Sequence, residues 1–398
     1  MCKRRLCAAI GIVLILAVVG LAQLQVNSYD RHYQTYPAVA MNDAGDFVVV
    51  WRSHVADGRG GGVFARRFDH DGMALTDEFK VNLSDVDVDT WSPAVAMAPG
   101  GDFVVVWVAD REGDCDVVAR QFDAAGAPLT EEIPVAGAAG VFESDPRIAM
   151  NSTGAFVIVW TNRYGDSYTG RNYAAARLYG ADGSPVSDPF EISDRPQQRW
   201  PDVAIDETGR FVVAWSRMGD TYNRPYGEYI MIRQFDADGI PLGPEMSLTG
   251  DLNSRWYGPA VATGGDGGFI VTWAIGPFPC NICAQPFNRD AEPMTSPYVV
   301  NTCMEGHQGR PCIASNGDSD FLIAWDCHDP SGAGCRVGGQ FCTGAGDPSG
   351  YECSVTIETA GRNWYPDAAM ASDGRYVVVW IAEIEGSGYD VFAQTGSR

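Results

Sequence analysis

Aromatic and basic residues recur at or just before one short motif, and they have the chemistry to hold a sugar or an extended peptide. The motif is a proline followed by small apolar residues, as in Pro93-Ala94-Val95. Flat aromatic faces with hydrogen-bond donors close by suit such ligands. The candidate ligand-binding residues are Trp91, Trp200, Trp256, Tyr257, Trp364, Tyr365, Arg199, Arg255 and Arg310. The alternative is that these aromatic side chains wedge between neighbouring structural units as core.

Cysteines form a second group with possible chemistry. The chain has 11 cysteines, of which Cys2 and Cys7 lie in the first 22 residues, so nine follow them. Eight of the nine lie close together and, in an exported chain, predict local disulfides. They are paired here in sequence order as Cys280 with Cys283, Cys303 with Cys312, Cys327 with Cys335, and Cys342 with Cys353. A zinc site made by the first four is the alternative, and Cys115 has no partner in this scheme.

Alternating acidic residues raise the question of calcium. They occur in two runs, Asp85, Asp87 and Asp89, then Asp110, Glu112, Asp114 and Asp116. Calcium takes six to eight oxygen ligands, but no EF-hand loop with its distal glutamate is present. We therefore interpret these residues as solvent-exposed acids and predict no cofactor. A calcium site is the alternative.

Catalytic motifs are missing from the sequence. Its five histidines occupy no common repeat position, and neither GxSxG nor HExxH occurs. No catalytic residue is therefore predicted, although two carboxylates could still meet as in a glycosidase.

One strand pattern organises the whole chain. Phe103-Val-Val-Val-Trp107 has seven versions, ending at tryptophans spaced 56, 53, 55, 58, 52 and 55 residues apart. A unit of about 55 residues is thus repeated seven times. The strand is apolar at every position, which predicts that both of its faces are buried. An alanine-rich strand precedes it, and two further strands separated by Gly-containing turns follow.

These features predict an all-β fold, a seven-bladed β-propeller with four antiparallel strands per blade. The seventh unit stops after its third strand, and Leu24-Gln25-Val26-Asn27 matches the fourth-strand sequence Phe79-Lys80-Val81-Asn82. We therefore expect the N-terminal strand to complete the last blade and close the ring.

The repeat, with PAVAM, GDFVVVW and ARRFD as its consecutive pieces, resembles that of secreted bacterial seven-bladed β-propeller repeat proteins. The resemblance covers essentially all of residues 23–398. It implies the propeller fold and export, and it supplies no catalytic motif that can be transferred to residues of this chain.

The N-terminus predicts export. Lys3, Arg4 and Arg5 precede an apolar run, and small residues follow at Gly20-Leu21-Ala22, so residues 1–22 are predicted to be a cleaved signal peptide and residues 23–398 the propeller. The remaining 25 basic and 51 acidic residues give a net charge near −26, which disfavours nucleic acid and membrane surfaces as partners.

The function predicted from sequence is a secreted, monomeric, non-catalytic binding or surface-interaction module. Its partner would be a glycan, or an extracellular peptide or protein, at the face that carries the irregular loops. A propeller glycosidase or lyase is the first alternative, and a purely structural secreted repeat protein is the second.

Overall fold

The protein is all-β in a computed structural model. The structure describes residues 23–29, 33–54, 61–83, 89–111, 113–165, 170–218, 228–249, 258–276, 279–304, 306–328, 334–356, 361–384 and 388–398. Within these ranges 28 strands form seven four-stranded antiparallel sheets, the blades of a β-propeller, as predicted. No helix among these residues is long and apolar enough to cross a membrane. The predicted signal peptide lies outside the described residues.

The blades follow the chain in order. Blade 1 contains β2 Gln34–Met41, β3 Phe47–His54, β4 Gly61–Phe68 and β5 Phe79–Lys80. Blade 2 contains β6 Asp89–Met97, β7 Phe103–Arg111, β8 Asp114–Phe122 and β9 Ile133–Ala136. Blade 3 contains β10 Val141–Met150, β11 Phe156–Tyr164, β12 Arg171–Tyr179 and β13 Phe190–Glu191. Blade 4 contains β14 Gln198–Ile205, β15 Phe211–Met218, β16 Glu228–Phe235 and β17 Met246–Ser247.

The last three blades continue the same plan. Blade 5 contains β18 Ala260–Thr263, β19 Phe269–Ile275, β20 Asn281–Phe287 and β21 Tyr298–Val299. Blade 6 contains β22 His307–Ser315, β23 Asp320–His328, β24 Cys335–Thr343 and β25 Pro348–Ser354. Blade 7 contains β26 Asn363–Met370, β27 Arg375–Ile384 and β28 Gly388–Ser397, and its fourth strand is β1 Leu24–Gln25.

The core lies in the seams between blades. Phe47, Val49 and Trp51 pack into the apolar cluster shared with blade 7, whereas Val48 and Val50 pack into the cluster shared with blade 2. Each FVVVW-type strand is thus covered on both faces, which is why its sequence does not alternate. The seven tryptophans that end these strands are fully buried: Trp51, Trp107, Trp160, Trp215, Trp273, Trp325 and Trp380.

A bulge in the first strand explains the repeated proline. In blade 1, Thr35 pairs with Arg52 and Ala38 pairs with Val50, so Tyr36-Pro37 lies opposite a single residue of β3. Proline has no N–H to donate and is tolerated at such a bulge. The same irregularity occurs in blades 2, 3, 4, 6 and 7.

The ring is closed by the N-terminal segment, as predicted. Leu24 pairs with Ala393 of β28, and the side-chain oxygen of Asn27 accepts a hydrogen bond from the Val391 N–H at 2.7 Å. The Asn27 amide also donates to the carboxylate of Asp390 at 2.9 Å. Arg66 of blade 1 adds a bond to the Val26 carbonyl at 2.9 Å.

Candidate functional site

The first strands of neighbouring blades contact one another around the whole ring and therefore line the central channel. The residue before the bulge proline recurs in all seven blades, and we call these residues the mouth positions. They are Tyr36, Ser92, Asp145, Trp200, Gly258, Arg310 and Tyr365. Six of them, all except the glycine, have a left-handed φ between 44° and 54°. Because this strained conformation occurs in blade after blade, we assign it to the architecture, and the side chain at each position supplies the chemistry.

The sequence-predicted ligand residues occupy or adjoin these positions. Trp200, Arg310 and Tyr365 are mouth positions, whereas Trp91, Arg199 and Trp364 each come one residue earlier in the strand. All six side chains are half-buried. The predicted residues Arg255, Trp256 and Tyr257 lie outside the described residues.

Two of the tryptophans pack partly between blades, as the alternative interpretation of these aromatic residues expects. Trp91 of blade 2 stacks on Phe142 of blade 3 with ring centroids 6.2 Å apart, so it fills a seam. Trp364 packs against the apolar cluster between blades 7 and 1, and its ring lies 5.4 Å from that of Tyr389.

Blades 1, 7 and 6 bring a polar group together at the mouth. We call Tyr36, Tyr365, Arg310, Asp326 and His328 the mouth cluster. The rings of Tyr36 and Tyr365 meet edge to face, 5.2 Å apart, and the Arg310 guanidinium lies 4.3 Å from the centre of the Tyr365 ring. Burial raises the pKa of Tyr36, with the neighbouring Tyr365 adding to the effect, so this phenol keeps its proton at neutral pH.

A buried carboxylate holds the basic members of the cluster. Asp326 directly follows Trp325 in β23 and is 0% exposed. Its Oδ2 accepts a hydrogen bond from Arg310 Nη1 at 2.8 Å, and its Oδ1 lies 3.4 Å from His328 Nε2. Burial works to raise the pKa of Asp326, but His328 and Arg310 outweigh it and hold the pKa below its usual value. The carboxylate is therefore ionised, with Arg310 hydrogen-bonded to it and the His328 ring beside it.

A second histidine, His307, lies next to His328. The ring of His307 lies 5.5 Å from that of His328, and its Nδ1 accepts a hydrogen bond from the Cys280 N–H at 3.3 Å. Burial, aided by the neighbouring His328, lowers the pKa of His307, so it is neutral at pH 7. With Nδ1 accepting, the proton of the neutral ring is on Nε2.

In blades 4 and 7 an aspartate follows the mouth position by two residues. Asp202 accepts a hydrogen bond from the Val261 N–H of blade 5 at 2.8 Å, and Asp367 accepts one from the Val39 N–H of blade 1 at 2.9 Å. Burial raises the pKa of Asp202 to about 6, although the charge of Arg147 opposes the rise. These carboxylates clamp neighbouring blades to each other inside the channel.

Glu143 is a buried acid at a place where other blades use an amide. The equivalent residues Gln34 and Gln308 each accept a hydrogen bond from the indole N–H of their own blade, Trp51 at 3.1 Å and Trp325 at 3.0 Å. Glu143 is 1% exposed, and its Oε2 has no hydrogen-bond partner. Burial raises the pKa of Glu143 to about 7. A protonated carboxyl there is the closest match to the glutamine of the other blades.

The structure joins none of the nine described cysteines in a disulfide. In the hairpin of blade 6, Cys327 pairs with Arg336 and Cys335 pairs with His328. Adjacent residues of a strand point to opposite faces, so Cys327 and Cys335 lie on opposite faces of the sheet. The structure does not bring this predicted pair together. A hairpin register shifted by one residue would set Cys327 directly opposite Cys335.

Two more predicted pairs straddle a sheet in the same way. Cys342 packs in the seam between blades 5 and 6, whereas Cys353 is paired with Gly339, whose face borders blade 7. Cys280 packs in the seam between blades 5 and 6, and Cys283 in the seam between blades 4 and 5. Cys303 is half-buried and Cys312 is buried, and their pairing stays a prediction.

The acidic runs show ordinary loop contacts where they are described. Asp110 accepts a hydrogen bond from the Gly113 N–H at 2.6 Å, and Asp116 pairs with Arg111 at 2.7 Å. Asp85, Asp87 and Glu112 lie outside the described residues. Among the residues that the structure describes, no group of three or more His, Cys, Asp or Glu side chains is placed to hold a metal ion.

Sequence reasoning missed His307, Asp326 and His328 as candidates. The histidines attracted no attention because they share no repeat position, yet antiparallel pairing sets His307 directly opposite His328. The available signal was local: blade 6 alone has an acid directly after the strand-ending tryptophan and a histidine two residues further on.

Comparisons with known proteins support the fold alone. No known family profile matches the chain, and no curated protein is similar in sequence. Among solved structures, a PL25 ulvan lyase bound to -[GlcA(1-4)Rha3S]- superposes with a TM-score of 0.60 at 10% identity, over 94% of this chain and 98% of that one. A Dyadobacter fermentans protein of unknown function gives 0.55 at 10% identity, over 94% and 98%. The Penicillium chrysogenum α-L-arabinanase complexed with arabinobiose gives 0.51 at 13% identity, over 76% and 94%.

Proposed function

We propose that the protein cleaves an acidic polysaccharide by β-elimination at the mouth cluster. One observation carries the proposal: at the mouth of the channel, a buried aspartate binds Arg310 and lies 3.4 Å from His328, and Arg310 packs on the tyrosine pair Tyr36 and Tyr365. The ulvan lyase whose fold is similar binds a glucuronate-containing sugar, and this fits the same proposal.

The charges favour an anionic sugar. The chain as a whole is strongly acidic, with a net charge of −23. The mouth cluster nevertheless contains Arg310, and the positive charge of Arg52 also acts on Tyr36. A guanidinium forms strong, directional hydrogen bonds with a carboxylate. We therefore assign recognition of a uronate carboxylate to Arg310.

The reaction needs a base, an acid and neutralisation of the carboxylate. The C5 proton next to the carboxylate leaves, a C4–C5 double bond forms, the bond from C4 to its glycosidic oxygen breaks, and that oxygen takes a proton. His328 is assigned as the base: we place the proton of its neutral ring on Nε2, which lies 3.4 Å from Asp326, and this leaves the lone pair on Nδ1. Tyr36 is assigned as the acid because its phenol is protonated at neutral pH and is 37% exposed at the mouth.

Hydrolysis by two carboxylates is the weaker alternative. Asp326 is fully buried and committed to Arg310, whereas Asp202 and Asp367 are bonded to the backbone of the next blade. A glycosidase pair needs one acid free to protonate the leaving oxygen and one free to act as nucleophile or base.

The test is incubation of the mature protein with alginate, pectate and a glucuronate-containing sulfated polysaccharide. Elimination creates a double bond conjugated with the carboxylate, so ultraviolet absorbance rises as cleavage proceeds. We expect His328→Asn and Tyr36→Phe each to lower the rate by about 10²-fold or more. Tyr351→Phe, which alters a tyrosine that is 95% exposed on β25, is the matched control and should leave the rate unchanged.

A second candidate is non-catalytic glycan binding at the same surface. It is favoured by the exposure of Tyr36, which is 37% exposed and offers an open aromatic face. Binding of any of these polysaccharides without a rise in absorbance would replace elimination by this role. If the protein neither binds nor cleaves any of these polysaccharides, both proposed functions are refuted.

A further inference from the structure

A surface of aromatic side chains lies beside the mouth cluster, where the N-terminal segment closes the ring. Tyr33 is 51% exposed, and its ring lies 5.2 Å from that of Tyr389 on blade 7. The Tyr389 ring lies 5.4 Å from Trp364. We call Tyr33, Tyr389 and Trp364 the closure surface.

The closure surface is continuous with the mouth cluster. Tyr33 precedes Tyr36 by three residues in blade 1, and Trp364 directly precedes Tyr365 in blade 7. A linear sugar chain held at the mouth and extending outward along the seam between blades 7 and 1 therefore passes over this surface. Tyrosine and tryptophan rings offer apolar faces to sugar rings and polar atoms to hydroxyls, which suits such a chain.

The same residues are tied to ring closure. Asp390, next to Tyr389, is buried and accepts hydrogen bonds from the side chains of Asn27 at 2.9 Å and Gln25 at 3.2 Å. The Asn27 amide also donates to the Tyr29 carbonyl at 3.0 Å. Tyr33 belongs to blade 1, since its carbonyl accepts a hydrogen bond from the His54 N–H at 3.0 Å, and Tyr389 belongs to the strand of blade 7 on which the N-terminal segment pairs.

We propose that the closure surface is a subsite for further sugar residues of the acidic polysaccharide, and that its occupation holds the N-terminal segment on blade 7. This inference rests on the proposed function. A ligand that bridges Tyr33 and Tyr389 binds the closed ring better than an opened one, so it stabilises closure by mass action. The closure surface then binds sugar rings by stacking, and Arg310 binds the uronate carboxylate by charge.

The first test compares chain lengths. It uses the polysaccharide that the wild-type protein binds or cleaves, together with its shortest oligosaccharide substrate. Tyr33→Ala should weaken binding of the long chain by about tenfold, the usual scale for losing one aromatic contact. The loss of affinity for the shortest oligosaccharide should be smaller than the loss for the long chain, because the short ligand does not reach beyond the mouth. Tyr351→Ala is the control for loss of an exposed tyrosine elsewhere.

The second test reads ring closure directly by hydrogen exchange. The Val391 N–H bonds to Asn27 across the junction, so its exchange reports opening of the closing strand. We expect the long chain to slow this exchange in the wild-type protein and to slow it much less in Tyr33→Ala.

The outcomes separate the two proposals. Wild-type cleavage with equal long-chain affinity in Tyr33→Ala and Tyr351→Ala overturns the subsite and leaves the proposed function standing. Unchanged Val391 exchange in the presence of the long chain overturns the coupling to closure. A wild-type protein that neither binds nor cleaves any of the polysaccharides overturns the proposed function and the subsite with it.

Discussion

Replacing Glu143 with glutamine should stabilise the protein at neutral and alkaline pH and change its dependence on pH. Gln34, Gln198 and Gln308 occupy the equivalent place in blades 1, 4 and 6, so the amide fits the surroundings that the fold provides. The glutamate shares the shape, but its ionised form is buried with one oxygen unpartnered. An uncompensated buried charge is costly.

The magnitude follows from linkage. The pKa of Glu143 is about 7 in the folded protein and about 4.3 in an unfolded chain. The folded state holds this proton more tightly, so the contribution to the free energy of unfolding is fully present below pH ~4 and is lost as the pH rises to about 7. Over the whole pH range the loss amounts to about 3–4 kcal/mol, because each unit between the two pKa values contributes about 1.4 kcal/mol. Glu143→Gln should remove this loss.

The assay is urea unfolding of wild type and variant at pH 5 and pH 8. The stability of the variant relative to wild type should increase by about 2–3 kcal/mol between these pH values. Glu131→Gln, at an exposed position just before β9, is the matched control and should show no such increase. An equal difference between wild type and Glu143→Gln at both pH values would refute the assignment of a raised pKa. Asp202 titrates in both proteins and cancels in the comparison.

Three further changes test the architecture. Trp215→Ala should lower the free energy of unfolding by about 3–5 kcal/mol, because the indole is fully buried between blades; a loss below about 1 kcal/mol in urea unfolding would show that the seam is not packed as described. Ala291→Gly should raise stability by about 1 kcal/mol, since Ala291 has φ 59° in a turn where five other blades have glycine, and thermal unfolding would show no gain if the strain were absent. Asn27→Ala should lower stability by about 1–3 kcal/mol and speed hydrogen exchange in β28, whereas unchanged exchange would show that closure does not depend on this side chain.

The fold was predictable because its information is local and repeated. Each unit carries an apolar strand that ends in tryptophan, and the bulge proline lies opposite this residue. Packing two faces of one strand against two neighbours requires apolar residues at every position, and seven copies of that requirement specify a closed ring. Even the closing strand was predictable, because Leu24-Gln25-Val26-Asn27 repeats the sequence of a fourth strand.

The candidate site was only partly predictable. The sequence indicated Arg310, Trp364 and Tyr365, since they accompany the repeated proline. It did not indicate Asp326 and His328, because their importance depends on strand pairing and on which face of the sheet each side chain occupies. The structure likewise sets Cys327 and Cys335 on opposite faces of the sheet, since a register that differs by one residue moves a side chain to the opposite face.

The sequence by itself determined the number of blades, the buried strands, the turns and the closing segment, because burial and turn chemistry depend on residues that are close together in the chain. Tertiary structure decided which side chains meet at the channel. Tyr36 and Tyr365 are 329 positions apart in the chain, and their rings meet only because ring closure sets blade 1 beside blade 7. The combination of Arg310, Asp326 and His328 likewise depends on the register and depth of two paired strands, and no repeated pattern encodes it.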